Sequence, residues 1–171
     1  MASRDNRAGR FLGPDQPRFF TVEEANRTLP LVKRIVRDIV EGYPQFQRER
    51  ESYREVALEP GPELQRRLES LSEAIDDYGD RLRGLLRELD QVGCVVKDYQ
   101  EGLVDFHSLY HGRAILLCWK LDEERVGYWH ELDAGFAGRQ PITPEFAEEV
   151  RAGLPADARR ARRQASGETP R

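Results

Sequence analysis

The chain has 171 residues, a formal net charge of -4 and 34% charged residues. That length suits one domain with frayed ends. No apolar run approaches the roughly 18 residues of a membrane helix, and the acidic balance argues against a general nucleic-acid binder. Met1 to Pro17 is polar and carries arginines but no apolar core, so it does not read as a secretory signal. With two cysteines and no targeting segment, a cytoplasmic, reducing setting is expected.

In chain order, residues 1–18 read as a disordered N-terminal tail. A single α+β domain is expected over 19–153. Thr21-Val22-Glu23-Glu24 is a capping box, with Phe20 before it as a hydrophobic staple. Leu29, Val32, Val36, Ile39, Tyr43 and Phe46 then follow spacings of three and four, and Tyr53 and Ala57 keep the phase. That is a heptad seam. Pro30 and Pro44 interrupt it, and Gly42-Tyr43-Pro44 is the expected break. Glu59-Pro60-Gly61-Pro62 is a turn, with Pro62 suited to the first helical position.

Leu64, Leu68, Leu71, Ile75, Tyr78, Leu82, Leu85, Leu89 and Val92 alternate spacings of four and three without a miss. Gly93 is placed as a left-handed C-cap. The two helices over 21–92 should form a long, coiled-coil-like antiparallel hairpin.

Over 93–142 the period changes to strand. Cys94 to Lys97 and Leu103 to Phe106 read as short extended pieces, and Ala114 to Leu121 and Val126 to Leu132 as two strong strands. The four residues Asp122 to Arg125 make a hairpin whose register sets Leu121 opposite Val126. One face then holds Ile115, Leu117, Trp119, Tyr128, His130 and Leu132 as core. The other, a mixed face, holds Leu116, Cys118, Lys120, Trp129, Glu131 and Asp133. A slip of one residue would exchange the sets. Asp133 to Arg139 is a glycine-rich loop, and Thr143-Pro144-Glu145 opens a short helix over 143–153. The loop and this helix are the local candidates to cover the mixed face. Residues 154–171 read as a disordered basic tail, solvated or touching RNA or an acidic membrane surface through Arg159 to Arg163.

The strings Phe20 to Asn26 with Leu29-Pro30, Lys97-Asp98, Gly102 to Phe106, Gly112-Arg113, Leu117 to Lys120, Gly127 to His130 and Asp133 to Pro141 resemble the family catalogued as domain of unknown function 2203. The resemblance spans Phe19 to Ile142. That family is small, bacterial and without an assigned activity, so the resemblance implies one domain with a single focus and supplies no chemistry. Lys97, Asp105, Arg113, Trp119, Trp129, His130, Asp133 and Arg139 lie in the family pattern, whereas His107 and His111 depart from it.

Each polar cluster has two readings. His107 and His111, four apart, would share a helical face and bind zinc with Asp105, or are solvated loop histidines. His130 with Asp133 suits acid/base work, although strand geometry also makes His130 a hydrogen-bonded core residue. Asp133 to Arg139 is an anion nest, or a turn sealed by an Asp–Arg pair with Phe136 plugging the core. Cys94 and Cys118 read as reduced core residues rather than a disulfide or metal pair. A phosphate loop, a Gly-x-Ser-x-Gly elbow, a Cys-x-x-Cys pair and a dinucleotide fingerprint are all absent from the sequence.

These residues point to a small-anion pocket built by the hairpin and the 133–139 loop. His130 and Asp133 are its acid/base candidates. Lys97, Asp105, Arg113, Trp119, Trp129 and Arg139 are its ligand-binding candidates. No metal ligand is assigned and the cofactor is open. The other reading is a helical-hairpin association module without catalysis. A homodimer is expected in either case, because two full seams have little else to bury against.

Overall fold

The computed structural model describes residues 17–58 and 61–154. The two expected tails therefore fall largely outside the described residues, as do Glu59 and Pro60 of the expected turn. Leu154, expected to begin the C-terminal tail, is buried at the end of the last helix.

The fold is α+β. Helices α1 (Val22–Val56) and α2 (Leu64–Val92) precede strands β1 (Cys94–Asp98), β2 (Leu103–Tyr110), β3 (Arg113–Lys120), β4 (Tyr128–Glu131) and β5 (Gln140–Pro141), and α3 (Pro144–Gly153) closes the chain. The strands form one sheet in the order β1-β2-β3-β4-β5, with β3–β4 and β4–β5 antiparallel. Among the described residues no helix is long and apolar enough to cross a membrane.

The chain divides into two compact units. One runs from Arg27 to Asp105 and adds Trp119–Arg125. The other takes the described residues up to Asn26, Phe106–Cys118 and those from Val126 on.

In the first unit α1 and α2 form the expected antiparallel hairpin. Tyr78, half-way along α2, stacks on Phe46 at 4.8 Å, and its hydroxyl donates to the Ile39 carbonyl at 3.3 Å. Gly42 lets α2 come close, since a Cβ there would lie 2.6 Å from the Tyr78 ring. The expected break at Gly42-Tyr43-Pro44 is absent: α1 runs unbroken through Pro30 and Pro44. A proline removes its own amide and crowds the carbonyl four residues back, but the ring contacts of Tyr43 and Phe46 (6.3 Å) and of Tyr43 and Tyr99 (5.5 Å) hold the helix at Pro44. Pro62 does not open α2, which begins at Leu64 after Glu63. Gly93 ends α2 in the left-handed conformation (φ 99°), its amide donating to the Leu89 carbonyl at 2.9 Å. The chain then turns directly into β1, which packs against α2.

Burial changes along this hairpin. Ala25, Leu29, Val32, Ile35, Val36 and Ile39 of α1 are buried. Beyond them Tyr43 and Phe46 are half-buried and Tyr53 is 37% exposed. On α2, Leu89 alone is buried. Leu64, Leu68, Leu71, Ile75, Tyr78, Leu82 and Leu85 keep part of their surface open.

The second unit begins at the expected capping box. Thr21 Oγ1 accepts from the Glu24 amide at 3.2 Å, and Glu24 Oε2 accepts from the Thr21 amide at 2.9 Å. Phe20 anchors the entry. Its amide donates to the His107 carbonyl at 2.8 Å, its carbonyl accepts from the Ser108 hydroxyl at 2.6 Å, and its ring meets Phe106 edge-on at 5.3 Å. Strand β2 therefore runs on through His107 to Tyr110, well past the expected Phe106. His107 lies in a strand and His111 in the turn after it, so the helical pairing of the two histidines does not occur.

The β3–β4 register differs from the expected one by a single residue. Ile115 faces Glu131, Leu116 faces His130, Leu117 faces Trp129 and Cys118 faces Tyr128. The expected register needed Leu121 and Val126 to pair across a four-residue loop. Within the first unit the Leu121 amide instead donates to the Gly102 carbonyl at 3.0 Å. Within the second, the Val126 amide donates to Asn26 Oδ1 at 2.9 Å. With both amides engaged elsewhere, β4 starts only at Tyr128. Trp129 consequently joins Ile115 and Leu117 on the core face, and His130 joins Leu116, Cys118 and Tyr128 on the other.

Candidate functional site

Helix α3, expected with the 133–139 loop to cover the mixed face, packs on Trp129, which the observed register puts on the face of Ile115 and Leu117. Thr143 caps α3 by accepting from the Phe146 amide at 3.2 Å. The Phe146 ring then stacks on Trp129 at 4.7 Å and 16°, with Tyr110 4.7 Å from Phe146 and 5.7 Å from Trp129. Trp129 is left 8% exposed. The edge of this stack is polar: His111 Nε2 lies 3.1 Å from Glu149 Oε2, and the hydrogen bond between Glu149 and the Tyr110 hydroxyl raises the Tyr110 pKa. Backbone and Thr143 hydrogen bonds hold the Glu145 carboxyl below its usual range at the start of α3. Sequence reading passed over Phe146 and the Tyr110–His111–Glu149 cluster. An aromatic two residues into a capped helix, on its inner face, was the available signal.

On the opposite face of the β3–β4 pair, His130 is buried. Its Nδ1 lies 2.8 Å from the Glu131 carbonyl. A carbonyl only accepts, so Nδ1 is the donor in this contact. The thiol of Cys118 and a ring nitrogen of His130 lie within 4.8 Å of each other. Arg139 lies beside this pair. Its guanidinium carbon sits 4.1 Å from the Tyr128 ring centre and 4.9 Å from that of Phe136, and its Nη2 lies 3.5 Å from the Cys118 carbonyl. Phe136, read as a core plug, is 51% exposed. It forms one plate of this cation–π sandwich, in a 3-10 turn over Phe136–Gly138.

The other proposed site residues are dispersed. Arg113 pairs with Glu131 at 3.2 Å, both partly exposed. Asp133 is exposed in the turn after β4, whereas His130 is buried. In the first unit Lys97 is exposed on β1. Asp105 is the one carboxylate buried among the described residues of the chain. Trp119 is fully buried there, its Nε1 donating to the Glu123 carbonyl at 3.0 Å, with Lys33 Nζ 5.8 Å from its ring centre.

Both cysteines are buried and neither is in a disulfide. Burial pushes the Cys94 thiol up to about 12. Native protein is therefore expected to resist alkylation at Cys94 even as the pH is raised toward 10, and to label there fully once unfolded. Mass spectrometry of the Cys94 peptide checks this; rapid labelling of native protein would show that β1 opens.

A family model for an uncharacterized conserved protein, DUF2203, matches residues 18–142, most of the chain. The chain belongs to the DUF2203 family. Neither the curated proteins nor the solved structures contain a match to it. The DUF2203 match covers α1 to β5 and stops before α3, the helix that covers Trp129.

Proposed function

We propose that this DUF2203 chain is a cytoplasmic association module that pairs with a second copy of itself through the α1–α2 hairpin. The observation that carries the reading is the seam of α2. Its nine apolar positions keep heptad spacing over roughly 45 Å, at about 1.5 Å rise per residue, yet Leu89 alone of the α2 residues is buried. A two-helix hairpin covers each seam from one side only; supercoiled helices are most stable when both sides are filled.

The charges of α2 favour a second copy over an unrelated partner. Arg66 and Arg67 precede an acidic block of Glu69, Glu73, Asp76, Asp77 and Asp80, and Arg81, Arg83 and Arg87 follow it. Glu88 and Asp90 offset two of the last three arginines, so the complementary contact is the Arg66–Arg67 end of a staggered second copy against the acidic block. Arg113 and Arg139 of the strand region are meanwhile engaged by groups of the fold itself. Anion binding would require Arg113 to leave Glu131 and Arg139 to leave its two aromatic plates.

Leu71→Ala is expected to weaken self-association by about tenfold or more, the range of a central interface residue, while the circular dichroism spectrum stays helical. Sedimentation velocity of the two proteins reads this. Equal sedimentation of wild type and variant over a dilution series would contradict the seam as interface. A phosphate-dependent rise in melting temperature, lost in Arg113→Ala, would favour the anion pocket.

A further inference from the structure

We propose that Cys118 and His130 are protein ligands of a zinc-type metal site on the β3–β4 face that carries Tyr128. The register places them on the same face of adjacent strands, with Leu116 opposite His130 and Cys118 opposite Tyr128. Sγ and a ring nitrogen lie within 4.8 Å. Zinc bonds sulfur at about 2.3 Å and imidazole nitrogen at about 2.0–2.1 Å, so a single ion spans the pair after a small side-chain adjustment.

The histidine is oriented for the task. Its Nδ1 is hydrogen-bonded to the Glu131 carbonyl at 2.8 Å, which orients the ring and makes Nε2 the nitrogen that would ligate. Metal-bound histidines are held in this way by a second hydrogen bond. The donor types choose the ion: a thiolate with an imidazole suits Zn2+ or Co2+ and is a poor match for Mg2+ or Ca2+.

Other features of the face bear on affinity. Cys118 and His130 are 0% and 2% exposed, so a bound ion is shielded from water. Both residues have further interactions within the fold, which the metal would replace. The Arg139 charge, held at the Cys118 carbonyl, opposes a second cation; deprotonation of the thiol offsets it. Zinc is four-coordinate, so Cys118 and His130 leave two positions for oxygen donors such as a carboxylate or water.

The test is a Co2+ titration of untagged, full-length protein. One equivalent is expected to produce a thiolate-to-cobalt charge-transfer band in the near ultraviolet, bleached by Zn2+. Cys118→Ser and His130→Gln should each lose the band while remaining folded; Cys94→Ser and His111→Gln should keep it. No band in the wild type, or a band that survives Cys118→Ser, overturns the proposal. If Cys118→Ser fails to fold, thiol protection by Zn2+ in wild-type protein, mapped by alkylation in mild denaturant, decides instead. Protection confined to Cys118 supports the site, and equal labelling with and without Zn2+ overturns it.

Discussion

Gly102→Ala is expected to lower the unfolding free energy by about 2–5 kcal/mol, the sum of a left-handed backbone cost of about 1–2 kcal/mol and an overpacking cost of about 1–3 kcal/mol. Gly102 ends the turn between β1 and β2 at φ 63°. Its carbonyl accepts from the Leu121 amide at 3.0 Å, tying that turn to the end of β3. An added Cβ would lie 2.7 Å from Leu121 Cβ, 3.0 Å from Val36 Cγ1 and 3.1 Å from Val40 Cγ2. None of these is the loose end of a flexible chain, so the backbone has to move. Gly112→Ala supplies the control. Gly112 also has a positive φ, 75°, but an added Cβ meets nothing within 4 Å. It should cost only the backbone part, about 1–2 kcal/mol. Urea denaturation of the two variants separates clash from conformation; equal losses would mean that the Gly102 site relaxes freely.

Trp129→Ala should cost about 3–5 kcal/mol, the usual range for deleting a buried aromatic. Its ring stacks on Phe146 and also meets Tyr110. Removing it takes away the surface on which α3 rests. Thermal melts should therefore fall, and amide exchange over Pro144–Gly153 should quicken more than exchange in β3. Trp129→Phe keeps an aromatic plate and should recover most of the loss. A tryptophan serving as the wall of an open pocket would behave otherwise: its removal would leave α3 exchange unchanged.

The parts of the fold legible in the sequence are those set by neighbours in the chain. The Thr21–Glu24 box, the Gly93 cap and the Thr143 cap each depend on residues three or four apart, and each forms as its residue types dictate. The hairpin register depended instead on distant partners. Asn26 lies 100 residues from Val126 and takes its amide, and no periodicity in β3 or β4 encodes that bond. One lost pairing exchanged the two faces of β4. It moved Trp129 under α3 and brought His130 to the side of Cys118. The residue types of the site were thus visible early, whereas their partners were not. Glu131 for Arg113, Phe146 for Trp129 and Tyr128 for Arg139 all follow from the register and the placement of α3. Pro44 misled for a related reason: a local helix breaker was outweighed by contacts of its neighbours with α2 and Tyr99.

The half-covered α2 seam leads to one direct measurement, the molar mass of the untagged chain by light scattering at micromolar concentration. The seam-to-seam account predicts twice the chain mass of 19.8 kDa, falling toward 19.8 kDa on dilution. A mass of 19.8 kDa at every concentration would contradict it.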